Sequence, residues 1–448
     1  MSPCDRSCYR NCRLKRTFSW SQKEDILMGS RHSIRLVLIE WQSALTIPPF
    51  MRLLCWVAIV LPCSLANSLI PSVLAEPIQF RPAMTINDGG AALCPGNLGQ
   101  GYAIPCVTDW NGDGKKDLLV GYQLAGKIAL YLNLGTDAQP CFTNHTNLKT
   151  GDGSDIYHPS SGCGAPAPWV CDFDGDGKRD LLVGAGSDGT VWFYRNTNTD
   201  AAPILAPGVQ LKTGANTLTV GFRATPYVCD WDEDGLNDLL CGDGNGYVSF
   251  FKNTNTAQSP IYAPAVKIQA GGVDLNLGIR SVMRVFDWDG DGLKDLVCSS
   301  DTGVYWCRNT NSNSNPVLQA PQAICAPVSG SGLVPIVTGS VPGSRMRVYP
   351  VDWNNDGVMD LVLGNADGTV YYYGGYHFRI SHVTHQTGNK VALQWDSAPF
   401  LNYNVLTNGC PINIQYPAVT NLPSGGNTTI WTNQIQGDQQ FFRVQVTQ

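Results

Sequence analysis

Glutamate is almost missing from this chain. Of 448 residues only four are Glu, and beyond residue 75 only Glu76 and Glu233 remain. Glycosidase chemistry usually needs a pair of carboxylates free to act as acid and base. Here the aspartates outside the motif described below are scattered singly through turns. No HExxH, no GxSxG and no glycine-rich phosphate cradle occurs. The chain therefore leans away from being an enzyme. No helical-period apolar pattern runs on after residue 76, which excludes bundles and alternating α/β folds. Long apolar runs are missing too: the stretch from Leu53 to Leu61 is too short to cross a bilayer. Residues 1–52 hold nine Lys/Arg against four Asp/Glu, leaving 21 basic and 32 acidic groups after them, a net of −11. A body this acidic is unsuited to nucleic acid and suited to bound cations.

What the chain has in plenty is glycine (47 residues), asparagine and aromatics (10%). That is a turn-rich, all-β composition.

The stretch MRLLCWVAIVLPCSLANSLIPSVLAEP, from Met51, joins one basic residue, an apolar run and small residues before Glu76. It reads as a signal peptide over 51–75, cleaved after Ala75. Residues 1–50, basic and carrying Cys4, Cys8 and Cys12, read as an extended n-region or a non-native preface. The expected location is secreted, extracellular or at the cell surface, or periplasmic, with no transmembrane span in the mature chain. Eleven cysteines follow Ala75, and export permits disulfides. Cys94–Cys106 and Cys141–Cys163 are close enough in sequence to bridge loops. Cys171 and Cys229, inside apolar runs, read as small buried core residues.

One loop recurs five times: DWNGDGKKDLLVG from Asp109, DFDGDGKRDLLVG from Asp172, DWDEDGLNDLLCG from Asp230, DWDGDGLKDLVCS from Asp287 and DWNNDGVMDLVLG from Asp352. The copies start 63, 58, 57 and 65 residues apart, so the chain is a repeat architecture. Position 1 is Asp109, Asp172, Asp230, Asp287 or Asp352. Position 3 is Asn111, Asp174, Asp232, Asp289 or Asn354. Position 5 is Asp113, Asp176, Asp234, Asp291 or Asp356. Position 9 is Asp117, Asp180, Asp238, Asp295 or Asp360. Ca²⁺ takes roughly six to eight hard oxygens. A tightly curled loop brings the oxygens of positions 1, 3 and 5 together, and glycine at position 6 permits the positive φ that the curl needs. Position 7 adds a backbone carbonyl, from Lys115, Lys178, Leu236, Leu293 or Val358. Mg²⁺ demands a tighter octahedron and keeps more water, so Ca²⁺ is the expected cofactor. Eighteen of the twenty side-chain positions are Asp and two are Asn. About five Ca²⁺ ions would bring the charge after residue 75 from −11 to about −1. The loop is not an EF-hand, because position 12 is Val120, Val183, Cys241, Cys298 or Leu363 rather than Glu.

A glycine turn and an aromatic strand follow each loop, as in GTVWFYRN from Gly189. An outer strand and a final strand then lead into the next copy. Four short strands per unit is the content of one propeller blade. Aromatics at position 2 (Trp110, Phe173, Trp231, Trp288, Trp353) are expected to pack between blades rather than serve as sugar platforms.

The DxDxDGxxDL loop followed by a glycine-bounded aromatic strand resembles the FG-GAP/VCBS repeat family, the repeat of the integrin alpha-subunit propeller. The resemblance covers residues 77–375. It implies a Ca²⁺-loaded β-propeller, usually extracellular and often adhesive. Family propellers commonly have seven blades, whereas five loops are visible here. Roughly 60 residues per repeat gives five blades over 76–375, within the known propeller range. The segment PIQFRPAMTIND from Pro77 resembles an outer strand, placed to complete the last blade and close the ring.

From about Phe378 the repeat stops. FRISHVTHQ, KVALQWDS, YNVLTN, TIWTNQ and FFRVQVTQ read as alternating strands of a small β-sandwich over 376–448. The functional expectation is an adhesion or ligand-recognition module for an extracellular polysaccharide or protein. The alternatives are a calcium-dependent polysaccharide lyase or hydrolase on the same scaffold, and a structural or display protein. The longest inter-strand loops, Thr143–Gly164 and Ile324–Ser344, are the candidate contact surface.

Overall fold

The computed structural model describes residues 78–446, apart from segments 96–101, 124–125, 159–164, 329–331, 337–344, 378–379, 387–389, 398–400, 409–415 and 435–440. The stretch read as a signal peptide, the preface before it and Cys163 lie outside the described residues.

Every element among the described residues is a strand. Five antiparallel four-stranded sheets follow one another. Each begins with an inner strand: Ile104–Thr108, Ala167–Cys171, Thr225–Cys229, Val282–Phe286 and Arg347–Val351. Each inner strand pairs with a fully buried second strand that starts on the position-9 aspartate: Asp117–Tyr122, Asp180–Gly184, Asp238–Gly242, Asp295–Ser299 and Asp360–Gly364. The near-continuous apolar runs DLLVG and DLVLG are what a strand covered on both faces requires. The aromatic third strand follows, and a short outer strand ends the sheet.

In the fifth sheet the outer strand comes from the other end of the chain. Met84–Thr85 pairs with Val370–Tyr373, and Ile78–Phe80 pairs with Gly375–His377. Each inner strand lies against the inner strand of the next sheet, and Arg347–Val351 lies against Ile104–Thr108. Lys116 of the first repeat also donates from Nζ to Asn355 Oδ1 of the fifth, at 2.5 Å.

The position-2 aromatics are all buried. Trp231 packs among fourth-repeat residues such as Met283 and Leu296. Trp288 packs with Val348 and Leu361 of the fifth, and Trp353 with Val107 and Phe142 of the first. They are inter-sheet packing, as their repetition implied.

After residue 379 two three-stranded sheets form. One is Ile380–Gln386, Lys390–Asp396 and Thr428–Gln434; the other is Tyr416–Pro423, Asn402–Asn408 and Phe441–Val446. Their inner faces share one core that includes Val391, Leu393, Trp395, Tyr403, Val405 and Val444, the arrangement of a small sandwich.

One cysteine expectation is overturned. Cys94 and Cys106 do not form a disulfide with each other. Cys106 is fully buried on an inner strand beside the Tyr349 hydroxyl, whereas Cys94 contacts the Asp367 carbonyl. Closeness in sequence did not bring the pair together in the fold. Cys141 is a free thiol.

Candidate metal centre

Each acidic loop is the hairpin between an inner strand and the second strand of its sheet. Position 6 holds φ of +82° to +88° at Gly114, Gly177, Gly235, Gly292 and Gly357, the left-handed conformation open to glycine. Position 4 is left-handed as well, at Gly112, Gly175, Glu233, Gly290 and Asn355. The DxDGDG spelling hides this second reversal, because Glu and Asn stand there in two copies.

The curl is held by the aspartates themselves. In the first loop, Asp109 accepts from the backbone N–H of Asp113 and Gly114, both at 3.0 Å. Asp113 in turn accepts from Lys115 N–H at 3.0 Å. The same bonds recur at Asp230, Asp287 and Asp352. With the N–H groups spoken for, the other carboxylate edges face one another. Three groups of carboxylate oxygens lie within 4.8 Å of each other: Asp172, Asp174 and Asp180; Asp230, Asp232 and Asp234; Asp287, Asp289 and Asp291.

Position 9 is fully buried in every repeat. Its two oxygens accept from two backbone groups: Trp110 N–H at 2.9 Å and Asn133 N–H at 2.8 Å for Asp117, with equivalent pairs for Asp180, Asp238, Asp295 and Asp360. This aspartate ties the loop's second residue to the end of the third strand. Burial raises its pKa, to about 6 at Asp180, Asp238, Asp295 and Asp360, against the lowering pull of those backbone donors. A carboxylate has about four lone-pair sites, so two donors leave room for a cation. The partner asparagines, Asn133, Asn196, Asn253 and Asn309, are buried too. At Asn196, Asn253 and Asn309 the sequence signal is the Asn-Thr-Asn turn, whose role as the position-9 partner the sequence reading missed; Asn133 stands in Leu-Asn-Leu-Gly instead.

Two observations bear on whether a cation fits. Asp172 Oδ1 and Asp232 Oδ1, each in one of the three clusters, are buried and accept no hydrogen bond. A buried anionic oxygen with no donor is costly unless a cation meets it. The donor set is also all hard oxygen, which suits Ca²⁺. Side chains already supply some positive charge. Arg195 pairs with Asp174 at 2.8 Å and Asp176 at 3.0 Å. Lys252 pairs with Asp232 and Asp234. Arg308 pairs with Asp289 at 2.6 Å and Asp291 at 2.9 Å. All three stand at the end of the third strand. The first and fifth repeats carry Leu132 and Gly374 there, and these two repeats also have Asn at position 3. An extra carboxylate thus comes with an extra cation, so positions 1, 3, 5 and 9 taken with that third-strand residue carry the same charge in every repeat.

Family models match two parts of the chain. Residues 287–363 match an FG-GAP-like repeat and residues 170–194 an FG-GAP repeat. Integrin alpha-4 of Xenopus laevis is 28% identical over 151 residues, 31% of this chain and 14% of the integrin; the chain spans about one seventh of that relative. Among solved structures, an Agrocybe aegerita lectin that recognises non-reducing terminal N-acetylglucosamine aligns at 17% identity over 77% of this chain and 86% of its own, with a TM-score of 0.34. A Photorhabdus luminescens Tc holotoxin pore aligns at 14% identity over 74% of this chain and 16% of its own, with a TM-score of 0.33. The chain carries FG-GAP repeats, and its fold is all-β and propeller-like.

Proposed function

From the premise that this is an FG-GAP-repeat chain, we propose a secreted or cell-surface calcium-binding β-propeller that recognises an extracellular ligand. The proposed propeller has five blades over 76–375, closed by the strand at Met84–Thr85, and is followed by a sandwich over 376–448. The resemblance to an integrin alpha chain supports the extracellular setting and a ligand-binding role. The observation that carries the calcium reading is the set of three carboxylate clusters, two of them with an orphaned buried oxygen.

The residues that would hold calcium are those at positions 1, 3, 5 and 9 of each loop, with the position-7 carbonyls. The ion would supply positive charge where three or four carboxylates meet, coupling metal binding to folding. Protein is the favoured ligand class and polysaccharide the second.

The test is retention of the secreted chain on immobilised matrix proteins and polysaccharides, with Ca²⁺ and with chelator. Calcium-dependent retention on one class is expected. No retention from a folded, calcium-loaded sample would overturn the recognition role and favour a structural one.

A further inference from the structure

The junction between the fifth repeat and the first is built unlike the others. Repeats one to four run from the third strand through an asparagine turn into their own outer strand, as between Val191–Tyr194 and Val209–Gln210. The fifth has no such turn. Gly375 N–H takes over the bond to the position-9 aspartate, at 2.7 Å from Asp360 Oδ1, and the chain leaves for the sandwich. Its outer strand, Met84–Thr85, arrives from the other end of the chain, preceded by Arg81. A second difference lies beside the first. The residue just past the third strand is Leu132, Arg195, Lys252 or Arg308 in the first four repeats and Gly374 in the fifth, so no side chain stands there.

A cavity of about 420 Å³ opens at this junction, within the range of roughly 300–1,000 Å³ of small-molecule sites. Its floor is apolar. Trp353 and Phe142, both buried, meet edge-on at 6.2 Å, and Tyr372, half-buried, stands 6.3 Å from Trp353. Donors and acceptors surround that floor: Asn354 from the fifth acidic loop, Asp137 from the first repeat, Thr85 from the closing strand and Asn427 from the sandwich. Among the described lining residues Arg81 is the one cation. It donates from Nη1 to the Gly375 carbonyl at 3.1 Å and stacks 5.1 Å from the Tyr376 ring centre. Its Nε–H is buried and meets no acceptor. Among the described residues no carboxylate pairs with it. Asp137, the one acid of the lining, is taken by the Lys116 backbone N–H at 2.8 Å, by Lys116 Nζ at 3.1 Å and by Asn355 at 2.7 Å.

We propose that this cavity binds a uronic acid residue of an extracellular polysaccharide. A ring hydroxyl both donates and accepts, which suits a rim of amide, hydroxyl and carboxylate groups. A hydrocarbon ligand would leave that rim desolvated and unpaired. The C–H face of a pyranose suits the Tyr372 ring and the apolar floor. The sugar carboxylate then meets the Arg81 guanidinium, whose planar fork matches it in paired hydrogen bonds; a neutral sugar would leave that cation without an anion. The site gives the polysaccharide branch of the recognition role proposed above its ligand class and rests on that role. It is separate from any surface that meets a protein.

The probe is digalacturonate, titrated calorimetrically into the calcium-loaded secreted chain at constant free calcium and ionic strength. Its neutral counterpart, digalactose, and acetyl-Gly-Gly-Asp-Gly-Gly-amide are the comparators. Digalacturonate is expected to bind at least tenfold tighter than either. Arg81→Gln should bring it down to the level of digalactose. Gly374→Leu, which copies Leu132 of the first repeat into the cavity, should weaken both sugars at least tenfold at an unchanged melting temperature. Where either variant melts early, Asn427→Trp at the exposed rim replaces it and should weaken digalacturonate severalfold. Equal binding of the acidic and neutral sugars, no saturation by digalacturonate, a peptide that binds as tightly, or a well-folded variant that binds digalacturonate like the wild type would each overturn the proposal. Calcium-dependent retention of the chain on a protein or a neutral glycan, with no digalacturonate binding, would remove this site and leave the recognition role standing.

Discussion

At the scale of single residues, burial rather than motif decides what a side chain does. His158 shows it. Its ring is buried against Trp192 and Tyr194 and shares a 2.8 Å hydrogen bond with the Tyr194 hydroxyl. Burial lowers its pKa from 6.5 to about 4, against a small opposing pull from Asp188. The unfolded chain takes up a proton near pH 6.5 that the folded one refuses until about 4. This residue's contribution is therefore whole above pH 6.5 and is lost as the pH falls toward 4, by about 3 kcal/mol in total. Chemical denaturation at pH 7 and pH 4.5 should show a gap between the wild type and His158→Gln that narrows by most of that amount. A gap that does not change with pH would contradict the buried neutral ring. Position 9 makes a second case. Asp238→Ala should cost about 3 kcal/mol even in chelator, because it strands the buried N–H groups of Trp231 and Asn253. Asp234→Ala, exposed at its loop, should cost more when calcium is present than in chelator, where only its bonds to Leu236 N–H and Lys252 are lost. The alternation of Asp in DWDEDGLNDL reads as a cation site from the sequence, but that its last Asp is also the latch of the third strand is legible only in the fold.

At the scale of the element, the loop and its strands behave as one unit repeated with variation. The glycine curl, the buried second strand and the aromatic third strand were legible because each obeys a local rule of backbone freedom or side-chain period. The pairing of an extra loop aspartate with Arg195, Lys252 or Arg308 was not, because about twenty residues separate the partners and a hairpin joins them. Lys252→Leu, which copies the Leu132 of the first repeat, should raise calcium affinity at the third loop severalfold and destabilise the calcium-free chain. Calorimetric titration would show it; unchanged affinity would mean that the lysine does not compete for those carboxylates. The cysteines give the opposite lesson. Cys94 and Cys106 are twelve residues apart in sequence, yet the strand between their environments turns Cys106 into the core.

At the scale of the whole molecule, the two faces carry opposite charge. Five acidic loops mark one, and Arg223, Arg280, Arg345 and Arg347, at the starts of the third, fourth and fifth inner strands, mark the other. The long connections that the sequence analysis singled out as contact loops lie between an outer strand and the next inner strand in the chain, and their residues 159–164, 329–331 and 337–344 lie outside the described residues. The repeat spacing made the first face legible from the sequence. The second depends on arginines from different repeats converging, which no single stretch reveals. A chain whose loops join core strands through clustered carboxylates should not be equally stable with and without its cations. The decisive measurement is calcium content per chain after equilibrium dialysis, paired with melting temperature before and after chelation. About five bound ions and a marked fall in melting temperature on chelation are expected. A chain that binds no calcium, or that melts at the same temperature once calcium is removed, would contradict the calcium-coupled propeller at its root.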